Sequence, residues 1–302
     1  MSRIILLSIC LLSLMLPLSA QTNYPTSNIY LFDLEQVSDS NFQFNNPQYL
    51  TAFNPNGYNN HPYFFNDSEL YISVQLPGMN QTDLYALNID EKTKTKVTET
   101  PDGEFSPKPM ENSYFFSAVR QEIHGKDTLL RLWQFPTDRT TNGKPVFKYI
   151  QGIGYYQWLN SYQVAVYMVE KNNTYLGIAD IRSDEVTPLA TNAGRSFAKL
   201  PNENLAYIQN SNNNNNLGLI MEYNLFQRGA SPQKIIETLP GSQDFALLPD
   251  GTFIMARGSK LFKFNRFMDE NWIEIADLRY YDIKNITRLA ISGSYKIAIV
   301  AD

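Results

Sequence analysis

His61 and His124 are the only imidazoles in the chain, which limits the acid–base and metal chemistry it can offer. A zinc site of His, Asp and Glu ligands needs tight convergence, and neither an HxH nor an HExxH spacing is present. A Ser-His-Asp triad converges only in space, but the GxSxG turn that presents a hydrolase serine is missing. Gly152-Ile153-Gly154 is too short for a phosphate loop and reads as a connection between elements. Asp102-Gly103-Glu104, with Asp244, offers carboxylates to calcium but lacks the spacing of an EF-hand loop. No catalytic residue, metal or cofactor is expected. What remains is recognition. Six hydrogen-bonding residues, His61, Ser106, Tyr155, Ser196, Asp244 and Thr287, recur at intervals of 45, 49, 41, 48 and 43 residues.

The elements that position them are visible in residues 61–98. Leu70-Tyr71-Ile72-Ser73-Val74 is a β-branched and aromatic run after the turn formers Asn66-Asp67-Ser68. Pro77-Gly78 breaks it, and residues 83–89 resume, with Leu84, Ala86 and Asn88 on one face and Tyr85, Leu87 and Ile89 on the other. After a polar turn, residues 94–98 alternate charged and β-branched types, as an outer strand would. With residues 61–65 as the innermost strand, this is a four-stranded antiparallel meander. No segment has the length and period of a helix.

The meander repeats. HPYFFND (61–67) corresponds to SPKPMEN (106–112), YYQWLNS (155–161), SFAKLPNEN (196–204), DFALLPDG (244–251) and TRLAISG (287–293). A four-stranded period of about 40–45 residues is that of a propeller blade, and blades must stack around an axis to bury both faces. Six repeats predict an all-β, six-bladed propeller. The sixth stops two strands in, after YKIAIVAD, while residues 28–35 match the third strand of the first blade type for type. The N-terminal strands are therefore expected to complete the last blade and close the ring.

In that ring the six recurring residues sit at inner-strand starts and encircle one mouth of the central channel. They are flanked by Asn60, Phe105, Gly154, Arg195, Gln243 and Arg288. The candidate binding residues are His61, Phe105, Ser106, Tyr155, Tyr156, Arg195, Asp244 and Arg288. A channel entrance is wet in any propeller, so polarity alone is the bland account of this column. Aromatics, arginine and one carboxylate suit a peptide or sugar better than a bare ion.

Pro249-Asp250-Gly251, Phe53-Asn54-Pro55-Asn56-Gly57 and residues 28–35 and 83–89 carry a resemblance to the TolB-type β-propeller repeat. It covers most of residues 28–302, and Leu159-Asn160-Ser161 and Ser292-Gly293 depart from its Pro-Asp-Gly turn. The resemblance implies six blades and a non-catalytic binding role in the periplasm or outside the cell. The separate N-terminal α/β domain of the translocation protein has no counterpart in this sequence, which implies a role other than translocation.

Residues 1–20 read as a signal peptide: Arg3, an apolar core over 4–18, and Leu18-Ser19-Ala20 before Gln21. The apolar run falls short of the ~20 residues of a bilayer span, and Ile9 before Cys10 argues against lipidation. Residues 21–27 are expected as a linker and 28–302 as a single propeller domain. After cleavage no cysteine remains, so the fold rests on its core, and the balance is 24 basic against 30 acidic residues. No basic run suggests nucleic acid or acidic lipid. The five-asparagine run at 212–216 is expected to be a hairpin tip. Two function classes stay open. The preferred one is an exported monomer, without a membrane span, binding a protein or glycan of the envelope or outside at its channel mouth. The alternative is a lactonase- or esterase-type propeller hydrolase using a channel metal.

Overall fold

In the computed structural model, the described residues are 24–125, 127–171, 173–211, 217–227 and 229–302. The expected signal peptide, the first residues of the expected linker and the asparagine run lie outside them. The chain begins with β1 (Asn28–Ser38) and β2 (Asn41–Tyr49), then builds five consecutive meanders. Blade 1 holds β3 (Tyr58–Asn66), β4 (Glu69–Gln75), β5 (Asp83–Asn88) and β6 (Thr93–Lys96). Blade 2 holds β7 (Gly103–Pro109), β8 (Phe115–His124), β9 (Asp127–Pro136) and the two-residue β10 (Lys144–Pro145). Blade 3 runs through β11 (Ile153–Trp158), β12 (Gln163–Glu170), β13 (Asn173–Asp180) and β14 (Glu185–Thr191). Blade 4 runs through β15 (Ala193–Lys199), β16 (Leu205–Asn210), β17 (Gly218–Tyr223) and β18 (Gln233–Glu237). Blade 5 is β19 (Phe245–Leu247), β20 (Phe253–Arg257), β21 (Lys260–Phe264) and β22 (Ile273–Asp277). Only β23 (Ile286–Ile291) and β24 (Lys296–Ala301) remain for blade 6, and its order is β2-β1-β24-β23. Asn28 pairs with Ala301 and Asp33 with Lys296, so the ring closes as the two incomplete ends require. The helical content described is one 3₁₀ turn, Leu278–Tyr281, and no helix among the described residues is long and apolar enough to cross a membrane.

Each blade buries both faces, which explains its apolar strands. Tyr85 and Leu87 of β5 pack with Ile29, Leu31, Ile72 and Val74 on the blade 6 side. Leu84 and Ala86 pack the other way, against Phe116, Ala118 and Phe135 of blade 2. The wedge between blades 1 and 2 also takes a buried ion pair. Arg120 Nε donates to Glu104 Oε1 at 3.1 Å, with both side chains at most 5% exposed. Thr98 Oγ1 donates to Glu104 Oε2 at 3.0 Å, Thr100 Oγ1 also reaches the carboxylate, and the guanidinium lies 3.8 Å over the Trp133 ring. Burial nevertheless pushes the Glu104 carboxyl up to about 7, against the pull of Thr100 and Arg120.

Within the expected linker, residues 24–27 are fixed to the ring. Tyr24 Oη donates to Gln121 Oε1 at 2.7 Å, its ring meets Tyr58 and Phe105, and Ser27 Oγ donates to the Asn59 carbonyl.

Candidate functional site

Four of the six column residues, in blades 1–4, sit partway along their inner strands rather than at their starts, while Asp244 just precedes β19 and Thr287 is the second residue of β23. His61 and Ser106 are each the fourth residue of their strand, and Tyr155 is the third of β11. The pairing register breaks there in β3, β7, β11, β15 and β23. Bulges of this kind bend a strand and re-aim its side chains. His61 and Ser106 both take φ 54, left-handed backbone that non-glycine residues seldom adopt. In blades 1–4 the strands begin two or three residues earlier than the sequence suggests, because the bulge and not the strand end recurs there, whereas β19 of blade 5 pairs without a bulge and starts after Asp244.

Seen along the ring, the column and its flanking residues stitch neighbouring blades together at five of the six junctions, all but that between blades 3 and 4. His61 Nδ1 shares a 2.6 Å hydrogen bond with Ser106 Oγ, joining blades 1 and 2. Tyr156 of blade 3 donates to the Ser106 carbonyl at 2.9 Å and accepts from Ser117 Oγ, which commits its hydroxyl to the scaffold. Ser196 Oγ accepts from the Phe245 amide at 3.1 Å, and Asp244 Oδ2 from the Leu289 amide at 2.9 Å. Arg288 Nε donates to Asn60 Oδ1 at 3.0 Å, which returns the circuit to blade 1.

Other members reach across the axis. The Arg195 guanidinium of blade 4 donates to the Thr287 carbonyl of blade 6 at 3.3 Å. Arg288 lies 5.4 Å over the Tyr155 ring of the opposite blade, and Tyr155 stacks on His61 at 6.0 Å and 18°. These crossbars divide the channel. On the side where the inner strands end is a cavity of about 570 Å³, lined by all the predicted site residues but Phe105. A smaller cavity of about 280 Å³ lies on the strand-start side beside blades 5 and 6, and Arg195, Asp244 and Arg288 line both. The larger space therefore opens toward the first-to-second strand turns, opposite to the mouth the sequence suggests. Phe105 instead packs against His61, Tyr58 and Tyr24.

Residues two positions beyond the column also line the funnel and were missed. Blades 1–3 contribute Tyr63, Lys108 and Gln157, whereas blades 4 and 5 contribute Ala198 and Ala246, and blade 6 contributes Ala290, two beyond Arg288. The two-residue period of a strand is the signal that finds them. Small residues on one half leave the volume, and larger polar ones face it. Lys108 Nζ donates to Gln157 Oε1 at 2.7 Å and lies over the Tyr63 and Tyr156 rings. Burial, reinforced by the Arg288 charge, pushes the Lys108 ammonium down to about 7. Burial also raises the Asp244 carboxyl, while Arg288 and Arg195 pull it down. His61 is held well below its usual range by burial and then by Arg288, Arg195 and Lys108, which keeps the ring neutral.

The His61–Ser106 contact has the geometry of a nucleophile and base, but the field around it is wrong for that work. A general base must stabilise the imidazolium it becomes, and here the charges that act on the ring are the cations Arg288, Arg195 and Lys108. The pair is built as an inter-blade hydrogen bond. Ser106→Ala is expected to cost about 1–3 kcal/mol by leaving a buried imidazole nitrogen unpaired, and to leave any chromogenic-ester hydrolysis by the purified protein unchanged. Loss of ester turnover at unchanged stability would reverse this assignment. Among the described residues, no three His, Cys, Asp or Glu side chains are grouped so as to hold a metal ion. Glu104, near the column in sequence, is bound to Arg120 between blades.

No family model matches the chain, and no curated protein matches it in sequence. Solved structures match its fold. A protein assigned as TolB from Agrobacterium tumefaciens superposes with a TM-score of 0.64 at 14% identity, over 92% of this chain and 99% of that one. TolB from Acinetobacter baumannii superposes with a TM-score of 0.57 at 9% identity, over 92% of this chain and 64% of that one. A chain of a nidogen–laminin complex gives 0.58 at 7% identity, covering 91% and 98%. The architecture is that of a TolB-like six-bladed propeller.

Proposed function

We propose that this chain is an exported, non-catalytic propeller that captures a protein partner at the funnel between its blades. The observation that carries the reading is the 570 Å³ cavity on the ring axis, into which aromatic and charged side chains of all six inner strands converge. Its size and mixed lining suit a specific recognition site. The surrounding face favours a protein. Antiparallel order puts the first-to-second turns and the third-to-fourth loops of every blade on the funnel side. Those segments carry Tyr114 at 88%, Phe226 at 76% and Phe267 at 85% exposure. Such exposed aromatics are typical of protein contact surfaces. The structural neighbour from the nidogen–laminin complex is a propeller of this fold in a protein assembly. Export rests on the reading of residues 1–20.

The test is capture from an envelope extract by the immobilised protein. Tyr155→Ala and Arg195→Ala should each weaken capture by more than about 1 kcal/mol, as central contacts do. Lys94→Ala and Lys96→Ala on the outer strand of blade 1 should change nothing measurable. The opposite pattern would place recognition on the outer rim and leave the column as a structural stitch alone. Metal analysis and an ester screen on the same preparation address the hydrolase alternative.

A further inference from the structure

The floor of the funnel holds more positive charge than it neutralises. Arg195 and Arg288 carry that charge, Lys108 adds to it where it is protonated, and none of the three makes an ion pair within 4.0 Å with a carboxylate among the described residues. All three are half-buried, and the fully buried cations do have such partners: Arg120 has Glu104 and Lys263 has Asp269. Asp244 is the single carboxylate in the lining near the arginines, and one of its oxygens is taken by the Leu289 amide. The buried Arg195 Nε has no hydrogen-bond partner. In a chain of formal charge −5 this is a local inversion of sign. Buried charge is costly without a counter-charge, and a guanidinium fork matches a carboxylate in two parallel hydrogen bonds.

We propose that the funnel binds a carboxylate-bearing ligand, whose anionic group seats on Arg195 and Arg288 while its adjoining apolar part lies along Ala198, Ala246 and Ala290. Lys108 faces the same space from blade 2, and the His61–Tyr155 stack gives a flat wall beside it. The chemistry is shared by the free C-terminus of a peptide and by a small organic acid. This inference rests on the funnel being the recognition surface.

The test is fluorescence anisotropy on the purified protein with a labelled pentapeptide ending in a free carboxylate, its C-terminal amide, and citrate as competitor. The acid should bind at least tenfold more tightly than the amide, and raising salt from 50 to 500 mM should weaken it severalfold. Arg195→Gln and Arg288→Gln should each lose about tenfold or more, and Arg195→Lys should fall between, since it keeps charge but not the fork. Displacement by citrate below millimolar concentration assigns the site to small acids, and peptide binding that citrate does not displace assigns it to chain ends. Equal binding of acid and amide, binding unaffected in correctly folded Arg195→Gln and Arg288→Gln, or no binding of either probe at millimolar concentration overturns the proposal. Blocking the funnel with Ala246→Trp separates the two readings. If envelope capture is lost on blocking while acid and amide bind alike, the funnel stands and the carboxylate preference falls.

Discussion

A chain lacking residues 21–51 is expected to give no monomeric, cooperatively melting protein. The deletion removes β1 and β2, and β1 is an interior strand of blade 6, paired on one side with β2 and on the other with β24. Its side chains are core: Ile29, Leu31, Phe32 and Leu34 are at most 5% exposed. Ile29 and Leu31 fill the wedge toward blade 1, while Phe32 and Leu34 fill the one toward blade 5. Their loss strips two blade interfaces at once and leaves β24 as an unpaired apolar edge, a template for aggregation. A single change grades the effect. Phe32→Ala should cost about 3–5 kcal/mol yet leave a foldable ring, read as a lower urea midpoint with the same slope. A truncated protein that stays monomeric and melts at the full-length temperature would show that the other five blades stand without the clasp.

Arg120→Ala is expected to be the most damaging single substitution of a charged residue, at about 3–5 kcal/mol, the usual cost of orphaning one half of a buried pair. It removes the counter-charge of Glu104 and the guanidinium stacked on Trp133. The sign of its pH dependence follows from the carboxyl. Glu104 is raised from 4.5 to about 7 in the folded state, so the fold holds a proton that the unfolded chain releases. That contribution is fully present below about 4.5 and is lost as pH rises through about 7. The stability difference between wild type and Glu104→Gln should therefore shift across that window, wild type losing ground as pH rises. Without Arg120 the carboxyl resists ionisation further, so Arg120→Ala should be worse at pH 8 than at pH 6. The double variant Arg120→Met/Glu104→Leu should regain most of the loss, since apolar replacement of a whole buried pair is often neutral. A flat response between about pH 4.5 and 7 would mean that Glu104 is already ionised in the folded protein across that window, as it is in the unfolded chain.

Blade count, strand order and closure were legible because each follows from a local pattern that repeats. The run LYISV and its counterparts mark the second strands, and the match of residues 28–35 to 83–89 marks the clasp. The column was legible as a set of positions for the same reason. Its orientation was not, because in blades 1–4 a bulge moves the ring residues inward along their strands, and nothing in HPYFFND or SPKPMEN announces left-handed backbone at His61 and Ser106. Nor could the sequence show that Asp244 latches onto the amide of Leu289, 45 residues away, or that Tyr156 spends its hydroxyl on Ser106. Such partners depend on how neighbouring blades are rotated against each other, and periodicity within a blade does not encode that rotation. Lys108 lay in view at the second position beyond Ser106, but only the enclosing cavity gives it meaning.

The crossbars at the column settle a question of topology for whatever enters. Arg195 joined to Thr287, and Arg288 set over Tyr155 of the opposite blade, cross the axis between the two cavities. An open tube could be threaded, with a long chain drawn through by its middle and released on the far side. A funnel whose floor is held shut by such contacts is blind. Only a free end, a tight hairpin tip or a small molecule can occupy it, and whatever enters must back out the way it came. Release is then governed by how firmly the floor holds that end, and pulling on the rest of the partner would extract it rather than reel it through.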